Sequence, residues 1–198
     1  MRFDPTVWIP VLKRVYPEIQ KETPVALYDS QIIYAVVGVA FESKDIDLLI
    51  PQPVSPTIFI EAYRRAFGES EARLEVISRK IDHAVYHIFT SRGGVAVEVF
   101  ALPSECSPFI MFPDELLYVE RDGVKYWSFT LEAYAVMEAS RSDAPREEGV
   151  RRFAEISQLV NWEKVEKLAG RANVEGAKIR KFIELVNEAK NRGAYTTT

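Results

Sequence analysis

The sequence contains little that would tie it to a membrane or to an oxidising compartment. Its 198 residues include a single cysteine, Cys106, which excludes an intramolecular disulfide framework and an array of zinc fingers. No apolar run reaches the roughly 20 residues of a membrane span, and the N-terminus has no signal-peptide pattern. We therefore expect a cytoplasmic protein that does not enter a membrane.

Charge is spread unevenly along an otherwise ordinary globular composition. Hydrophobic residues make up 47% of the chain and charged residues 27%, and the net charge is −4. Residues 141–192 carry 12 Lys and Arg against 9 Asp and Glu, so the excess of negative charge belongs to the rest of the chain. That arrangement would suit a metal-dependent enzyme with an anionic substrate, although it also arises by chance.

Residues 1–128 show interleaved helical and strand-like patterns, whereas residues 129–198 are almost entirely helical. Helices are predicted behind Asp4-Pro5 and Ser55-Pro56. The other predicted elements are strands at 24–28, 45–51, 72–78, 83–90 and 94–102, hairpin turns at SRGG (91–94) and Asp122-Gly123, and helices at 131–140, 145–160, 162–169 and 174–191. Hairpins in place of regular strand–helix–strand units predict an α+β fold, with a mixed-sheet core and a C-terminal helical bundle packed on it.

Two acidic residues open the predicted strand DIDLLIP. Because side chains alternate along a strand, Asp45 and Asp47 lie on one face of it. Their β-carbons would be roughly 7 Å apart, and carboxylates at that distance repel each other unless a cation lies between them. A divalent metal would supply that cation.

Glu98, in the predicted strand GVAVEVFAL, is the third candidate. Valines flank this carboxylate, and the small Ala96 leaves room beside it on the same strand face. Magnesium prefers oxygen ligands and bridges carboxylates to phosphates, and a metal pair supports displacement at phosphorus. Asp45, Asp47 and Glu98 therefore suggest a site for Mg²⁺ or Mn²⁺. The alternative is a solvated strand end with unrelated acids.

The stretch from residue 25 to residue 51 resembles the signature of the nucleotidyltransferase superfamily with the DNA polymerase beta-like fold. That signature is a strand ending in Gly-Gly or Gly-Ser, a short helix, and a strand carrying Asp-hydrophobic-Asp-hydrophobic. The sequence Ser43-Lys44-Asp45-Ile46-Asp47-Leu48 is most similar to the abortive-infection and toxin–antitoxin type of prokaryotic nucleotidyltransferase. The resemblance implies that Asp45 and Asp47 are metal ligands, that Glu98 is the third carboxylate, and that Lys44 lies with the nucleotide-binding residues.

The stretch DSQIIYAVVGVAF (29–41) leaves the position of the glycine pair open. Its β-branched residues favour a strand, whereas Asp29-Ser30 could cap a short buried helix. If the first strand is PVALY, the pair falls on Asp29-Ser30, and Ser30 with the helix N-terminus would hold a triphosphate. If the first strand is IIYAVV, the pair falls on Gly38-Val39. In the first alternative, Asp29 places a negative charge where the family has none.

The helical region carries a second similarity, in RRFAEISQLV (151–160). The family frame is Lys-Asp-hydrophobic-x-Asp-hydrophobic, with Arg151 in place of the lysine and Glu155 in place of the second aspartate. These residues lie one turn apart on one helix face, and the resemblance implies that Arg151 grips phosphates. Arg152 reverses the charge of the first aspartate, and an ordinary surface ion pair is the alternative.

Two functions follow from the resemblance. The first is an enzyme that moves a nucleoside monophosphate from an NTP to an unidentified acceptor hydroxyl, on RNA, protein or a small molecule, and releases pyrophosphate. The second is a catalytically inactive binding module of the same fold, with a partner protein such as that of a toxin–antitoxin pair. The three acids favour the enzyme, whereas Asp29 and Arg152 favour the binding module.

Overall fold

The computed structural model describes residues 2–68, 73–79, 83–89, 94–141 and 144–194. The chain divides into two compact units, residues 1–110 with 116–129 and residues 111–115 with 130–198. None of the helices in the described ranges has the length and apolar character that crossing a lipid bilayer requires.

Helices and strands interleave in the first unit, and helices follow in the second. In chain order the described elements are α1 (Pro5–Gln20), β1 (Ala26–Leu27), α2 (Ser30–Val37), β2 (Asp45–Ile50), α3 (Thr57–Phe67), β3 (Arg73–Arg79), β4 (His83–Phe89), β5 (Ala96–Ala101), α4 (Pro108–Met111), β6 (Leu116–Arg121), β7 (Val124–Phe129), α5 (Leu131–Ser140), α6 (Glu147–Ile156), α7 (Trp162–Arg171) and α8 (Gly176–Ala194). Short 3₁₀ turns lie at Ser104–Cys106, Pro113–Glu115 and Ser157–Leu159.

Five strands of the first unit form one mixed sheet in the order β1-β2-β5-β4-β3. β2 and β5 run parallel, whereas the other neighbouring pairs are antiparallel. The predicted α+β fold with a mixed-sheet core is therefore confirmed. Most of the predicted SRGG turn between β4 and β5 (residues 91–93) lies outside the described residues, although the two strands pair as a hairpin would require.

Helix α1 forms where its cap and its apolar spacing predict it. The Asp4 carboxylate accepts a hydrogen bond from the Thr6 N–H at 2.8 Å, and Pro5 occupies the first helical position, where its missing N–H costs nothing. One face of the helix packs into the core through Trp8, Leu12, Val15, Tyr16 and Ile19. This face, together with that of α3, covers the sheet.

Within segment 29–41, Ser30–Val37 form the short helix α2, although the sequence is rich in β-branched residues. Residues 30–35 are all buried, so burial on every side outweighs the intrinsic preference of Ile32 and Ile33 for a strand. The helix ends at Gly38, which adopts a left-handed conformation with φ +78°. The order strand, helix, strand therefore places Asp29-Ser30 at the turn into the helix, as the first of the two alternatives requires.

The second hairpin of the first unit forms about Asp122-Gly123, as predicted. Both turn residues have positive φ, 52° and 78°, which is the conformation of the two-residue turn that matches the twist of antiparallel strands. β6 and β7 pair in continuous register on either side of it, from Leu116 with Phe129 to Arg121 with Val124.

The second unit is a set of helices around a cluster of aromatic rings. Phe153 of α6 lies 5.2 Å from the Tyr134 ring and 5.3 Å from the Phe182 ring, measured between ring centroids, and Trp162 borders the same cluster. Thr130 and Asn161 cap α5 and α7 through their side chains. The helix predicted at 145–160 is shorter than expected, because α6 begins at Glu147 and its final turn is a 3₁₀ turn.

Candidate active site

The first two candidate ligands lie at the start of β2, in the middle of the first unit. Asp45 is half-buried and Asp47 is 8% exposed, whereas the intervening Ile46 points to the opposite face and is completely buried. Alternation along the strand therefore sets both carboxylates on one face, as the sequence predicts. An ionised side chain as buried as that of Asp47 requires compensating polar or cationic neighbours.

Glu98 is brought to the same face by the register between β2 and β5. These neighbouring strands are parallel, and Asp47 pairs with Glu98 while Asp45 pairs with Ala96. Paired residues on neighbouring strands project to the same side of a sheet, and the strands lie about 4.8 Å apart. Three acids thus share one face, with the small Ala96 beside Asp45. On the far side of Glu98, the register partner on β4 is His87.

The carboxylate oxygens on this face are ligands that suit a hard divalent cation, although the three side chains are not grouped around one point. All three side chains supply oxygen ligands, which Mg²⁺ and Mn²⁺ prefer. Within the described residues, however, no group of three or more His, Cys, Asp or Glu side chains is arranged to hold a metal ion. The metal at Asp45, Asp47 and Glu98 remains a prediction.

Ser30 is the first residue of α2 and follows β1 after Tyr28 and Asp29. Its side chain is 1% exposed, and its hydroxyl oxygen has no hydrogen-bond partner among the residues that the structure describes. A buried hydroxyl without a partner costs free energy of about 1–3 kcal/mol. The hydroxyl belongs to the first residue of α2, and the N-terminus of a helix favours anionic oxygens.

Asp29 precedes that helix in a conformation that suits glycine. Its φ is +53° and its ψ is −137°, and the side chain is buried. Holding a residue other than glycine there costs on the order of 1–3 kcal/mol. Asp29 is the N-cap residue of α2, but its carboxylate accepts no capping hydrogen bond from the first turn of the helix.

Solved structures of very different sequence share the fold of the chain. A protein of H. pylori described as a candidate nucleotidyltransferase matches with a TM-score of 0.53 at 9% identity, over 99% of this chain and 100% of that one. The JHP933 protein of Helicobacter pylori matches with a TM-score of 0.52 at 10% identity, over 97% and 94%. An antigenic nucleotidyltransferase-like protein of Paracoccidioides brasiliensis matches with a TM-score of 0.51 at 13% identity, over 98% and 94%. The chain has a nucleotidyltransferase-like fold. No family model matches the sequence, and no curated protein matches it in a sequence search.

The C-terminal end of α2 in this nucleotidyltransferase-like core is held by the hairpin of β6 and β7. The Arg121 guanidinium donates hydrogen bonds to the carbonyl oxygens of Ala35 at 3.2 Å and Val36 at 3.4 Å. The Tyr34 hydroxyl donates to Asp122 Oδ2 at 2.7 Å, and burial, followed by this hydrogen bond, raises the pKa of Tyr34 above its ordinary value. The sequence predicts the hairpin but gives no sign of these contacts.

The remaining predicted residues lie on the surface. Lys44 is exposed next to Asp45, at the entry to β2. Arg151 is exposed on α6 in the second unit, as is Glu155 one turn later. Arg152, between them, is buried and forms an ion pair with Glu148 in the same helix. Arg152 therefore has a structural role in the second unit, and the nucleotide contacts of Lys44 and Arg151 remain predictions.

Proposed function

We propose that this protein is a metal-dependent nucleotidyltransferase, which transfers a nucleoside monophosphate from an NTP to an acceptor hydroxyl. The observation that supports it best is the parallel register that sets Glu98 beside Asp47, on the strand face that also carries Asp45. The nucleotidyltransferase-like fold of the chain supports the same reaction class. The buried Ser30 hydroxyl supports it further, because it lies at a helix N-terminus where a phosphate would satisfy it.

Three carboxylates on one sheet face repel one another, and a divalent cation would offset that repulsion. Asp45, Asp47 and Glu98 would hold the metal through their carboxylate oxygens. Mg²⁺ or Mn²⁺, when bound, would neutralise charge on the phosphates and make the acceptor hydroxyl easier to deprotonate.

The residues of the chain would bind and orient the two reactants. The acceptor oxygen forms a bond to the α-phosphorus, the bond from that phosphorus to the β-phosphate oxygen breaks, pyrophosphate leaves, and the acceptor proton passes to solvent. Ser30 and the N–H groups at the start of α2 would donate hydrogen bonds to the phosphates, and Lys44 would add positive charge. Glu98 would also orient the acceptor.

Transfer of label from NTP tests this proposal. The protein is incubated with Mg²⁺, NTP labelled at the α-phosphorus, and cellular fractions of RNA, protein and small molecules. We expect one fraction to acquire α-label and none to acquire γ-label. Asp47→Asn should abolish the transfer, whereas Asp114→Asn, at an exposed aspartate paired with Arg171 in the second unit, should retain it. Transfer of γ-label, or full activity of Asp47→Asn, would contradict the proposal.

The conformation and burial of Asp29 favour a second candidate, a catalytically inactive module that binds a partner protein. A buried carboxylate next to the N-terminus of α2 would repel a triphosphate at the place where Ser30 is proposed to bind it. A partner protein such as that of a toxin–antitoxin pair belongs to this second candidate, whereas a cytoplasmic location is proposed with either function. Absence of α-label transfer, together with absence of NTP binding by calorimetry, would favour this module over the enzyme.

A further inference from the structure

Gln31 is buried in the first turn of α2, and its side chain bonds to the strand that carries the aspartates. Its carboxamide oxygen accepts a hydrogen bond from the Asp47 N–H at 3.3 Å. Its amide nitrogen donates to the Asp45 carbonyl oxygen at 3.2 Å and to the Ser43 hydroxyl at 3.4 Å. The side chain is completely buried, so water does not compete for these bonds.

These bonds begin where the pairing between β1 and β2 ends. β1 pairs with β2 only through Ala26 with Leu49 and Leu27 with Leu48, and one more bond joins the Tyr28 N–H to the Asp47 carbonyl oxygen at 2.9 Å. At Asp29 the chain turns away into α2, so among the described residues no strand pairs with this edge of β2 at residues 45 and 46. Buried N–H and carbonyl groups there need other partners.

The Gln31 carboxamide forms the hydrogen bonds to β2 that a neighbouring strand would otherwise form. A residue of a parallel neighbour would accept from one N–H and donate to the carbonyl two residues earlier, and the Gln31 amide does both. On its other edge, the same part of β2 pairs with β5. The backbone that carries both aspartates is therefore bonded on both sides.

We propose that Gln31 is a positioning residue, which fixes the Asp45–Asp47 backbone to the first turn of α2. This inference rests on the proposed function, in which the aspartates hold the metal and Ser30, one residue before Gln31, binds phosphate. Because both of its main bonds end on the residues that carry the carboxylates, loss of the Gln31 amide frees the metal ligands to shift relative to Ser30. Gln31 thus sets how strongly metal and nucleotide assist each other's binding.

Gln31→Met tests the inference, because methionine has similar length and volume but forms no comparable hydrogen bonds. Gln20→Met, at the end of α1 and away from the aspartates, is the matched control. Mn²⁺ affinity is measured with and without a nonhydrolysable NTP, and the ratio of the two values is the coupling. We expect Gln31→Met to lose about tenfold in Mn²⁺ affinity and most of the coupling, while Gln20→Met matches the wild type. A merely structural role would lower the melting temperature and leave the coupling unchanged.

The outcomes separate this inference from the proposed function. If the wild type binds Mn²⁺ and nucleotide with coupling that Gln31→Met retains, the inference is wrong and the proposed function stands. If the wild type binds neither, both are wrong. If Gln31→Met does not fold, hydrogen exchange on the wild type decides: the Asp47 amide proton should be protected about 100-fold or more, and Mg-NTP should raise that protection. A rapidly exchanging Asp47 amide would overturn the inference.

Discussion

The two ends of helix α2 differ in whether their residues suit the local backbone conformation and whether their polar groups have hydrogen-bond partners. At the C-terminal end, Gly38 takes the left-handed conformation that glycine tolerates, and Arg121 donates to the last carbonyl groups. At the N-terminal end, an aspartate takes a conformation that suits glycine, and the hydroxyl of Ser30 is buried without a partner among the described residues. Local rules are obeyed at the structural end and broken at the end that faces the candidate site, which is the pattern expected of a functional site.

Among substitutions at the N-terminal end of α2, Asp29→Gly should change nucleotide affinity most. At about 5 Å and an effective dielectric near 20, each charge–charge repulsion between Asp29 and a triphosphate is of order 3 kcal/mol. We therefore expect the substitution to tighten Mg-NTP binding about 100-fold in calorimetric titration. Because glycine also suits the conformation with φ +53°, the free energy of unfolding should not fall.

Asp122→Gly is the matched control for that substitution, because Asp122 also has positive φ, at 52°, but lies in the hairpin at the other end of α2. It should leave nucleotide affinity unchanged. Equal and tight binding by the wild type and Asp29→Gly would show that the Asp29 carboxylate points away from the phosphates.

Ser30→Ala should weaken nucleotide binding about tenfold, since one hydrogen bond to a charged phosphate is lost. The protein should nevertheless become slightly more stable, because a buried hydroxyl without a partner is removed. Ser107→Ala removes another buried serine hydroxyl of this kind in the first unit, and should raise stability without changing affinity. Unchanged affinity in Ser30→Ala would separate Ser30 from the phosphates.

Gly38→Ala should destabilise the protein by about 1–2 kcal/mol, because alanine is strained at φ +78°. Its β-carbon would also come within 3.0 Å of Arg121 Nη1. The matched control is Gly170→Ala in α7, where an added β-carbon meets nothing and helix propensity improves. Nucleotide affinity should not change in either variant, and denaturant unfolding measures the difference. Equal stability of the two variants would contradict the account of the C-terminal end.

Tyr34→Phe should cost about 1 kcal/mol at pH 7 by removing the hydrogen bond to Asp122. Because burial raises the pKa of Tyr34, the folded state keeps this phenol neutral after the unfolded chain begins to ionise near pH 10. Stability from this group is therefore present below about pH 10 and lost as the pH rises further. Urea unfolding from pH 8 to 11 should show a smaller loss in Tyr34→Phe than in the wild type. The exposed Tyr118→Phe should follow the wild type.

The sequence predicts structure well where a local signal specifies it, and poorly for the segment that forms α2. Two predictions that rest on local signals are confirmed. Helix α1 forms behind Asp4-Pro5 with the predicted apolar face, and a hairpin turn forms at Asp122-Gly123. Segment 29–41 is ambiguous, because burial on all sides removes the periodicity that distinguishes a helix from a strand.

The features of the site that the sequence could not predict depend on contacts between residues far apart in the chain. The alternation that sets Asp45 and Asp47 on one face is local, whereas the pairing of Asp47 with Glu98 depends on the register of strands about 50 residues apart. The role of Gln31 depends on where β1 stops, and the contacts of Arg121 depend on where the hairpin lies. None of these has a local signal.

Metal binding by the three carboxylates is the central claim, and Mn²⁺ titration followed by electron paramagnetic resonance tests it most directly. We predict that the wild type binds Mn²⁺, that Asp47→Asn and Glu98→Gln each weaken binding at least tenfold, and that Asp114→Asn binds like the wild type. Identical titration curves for the wild type and Asp47→Asn, or no Mn²⁺ binding by the wild type, would contradict the claim.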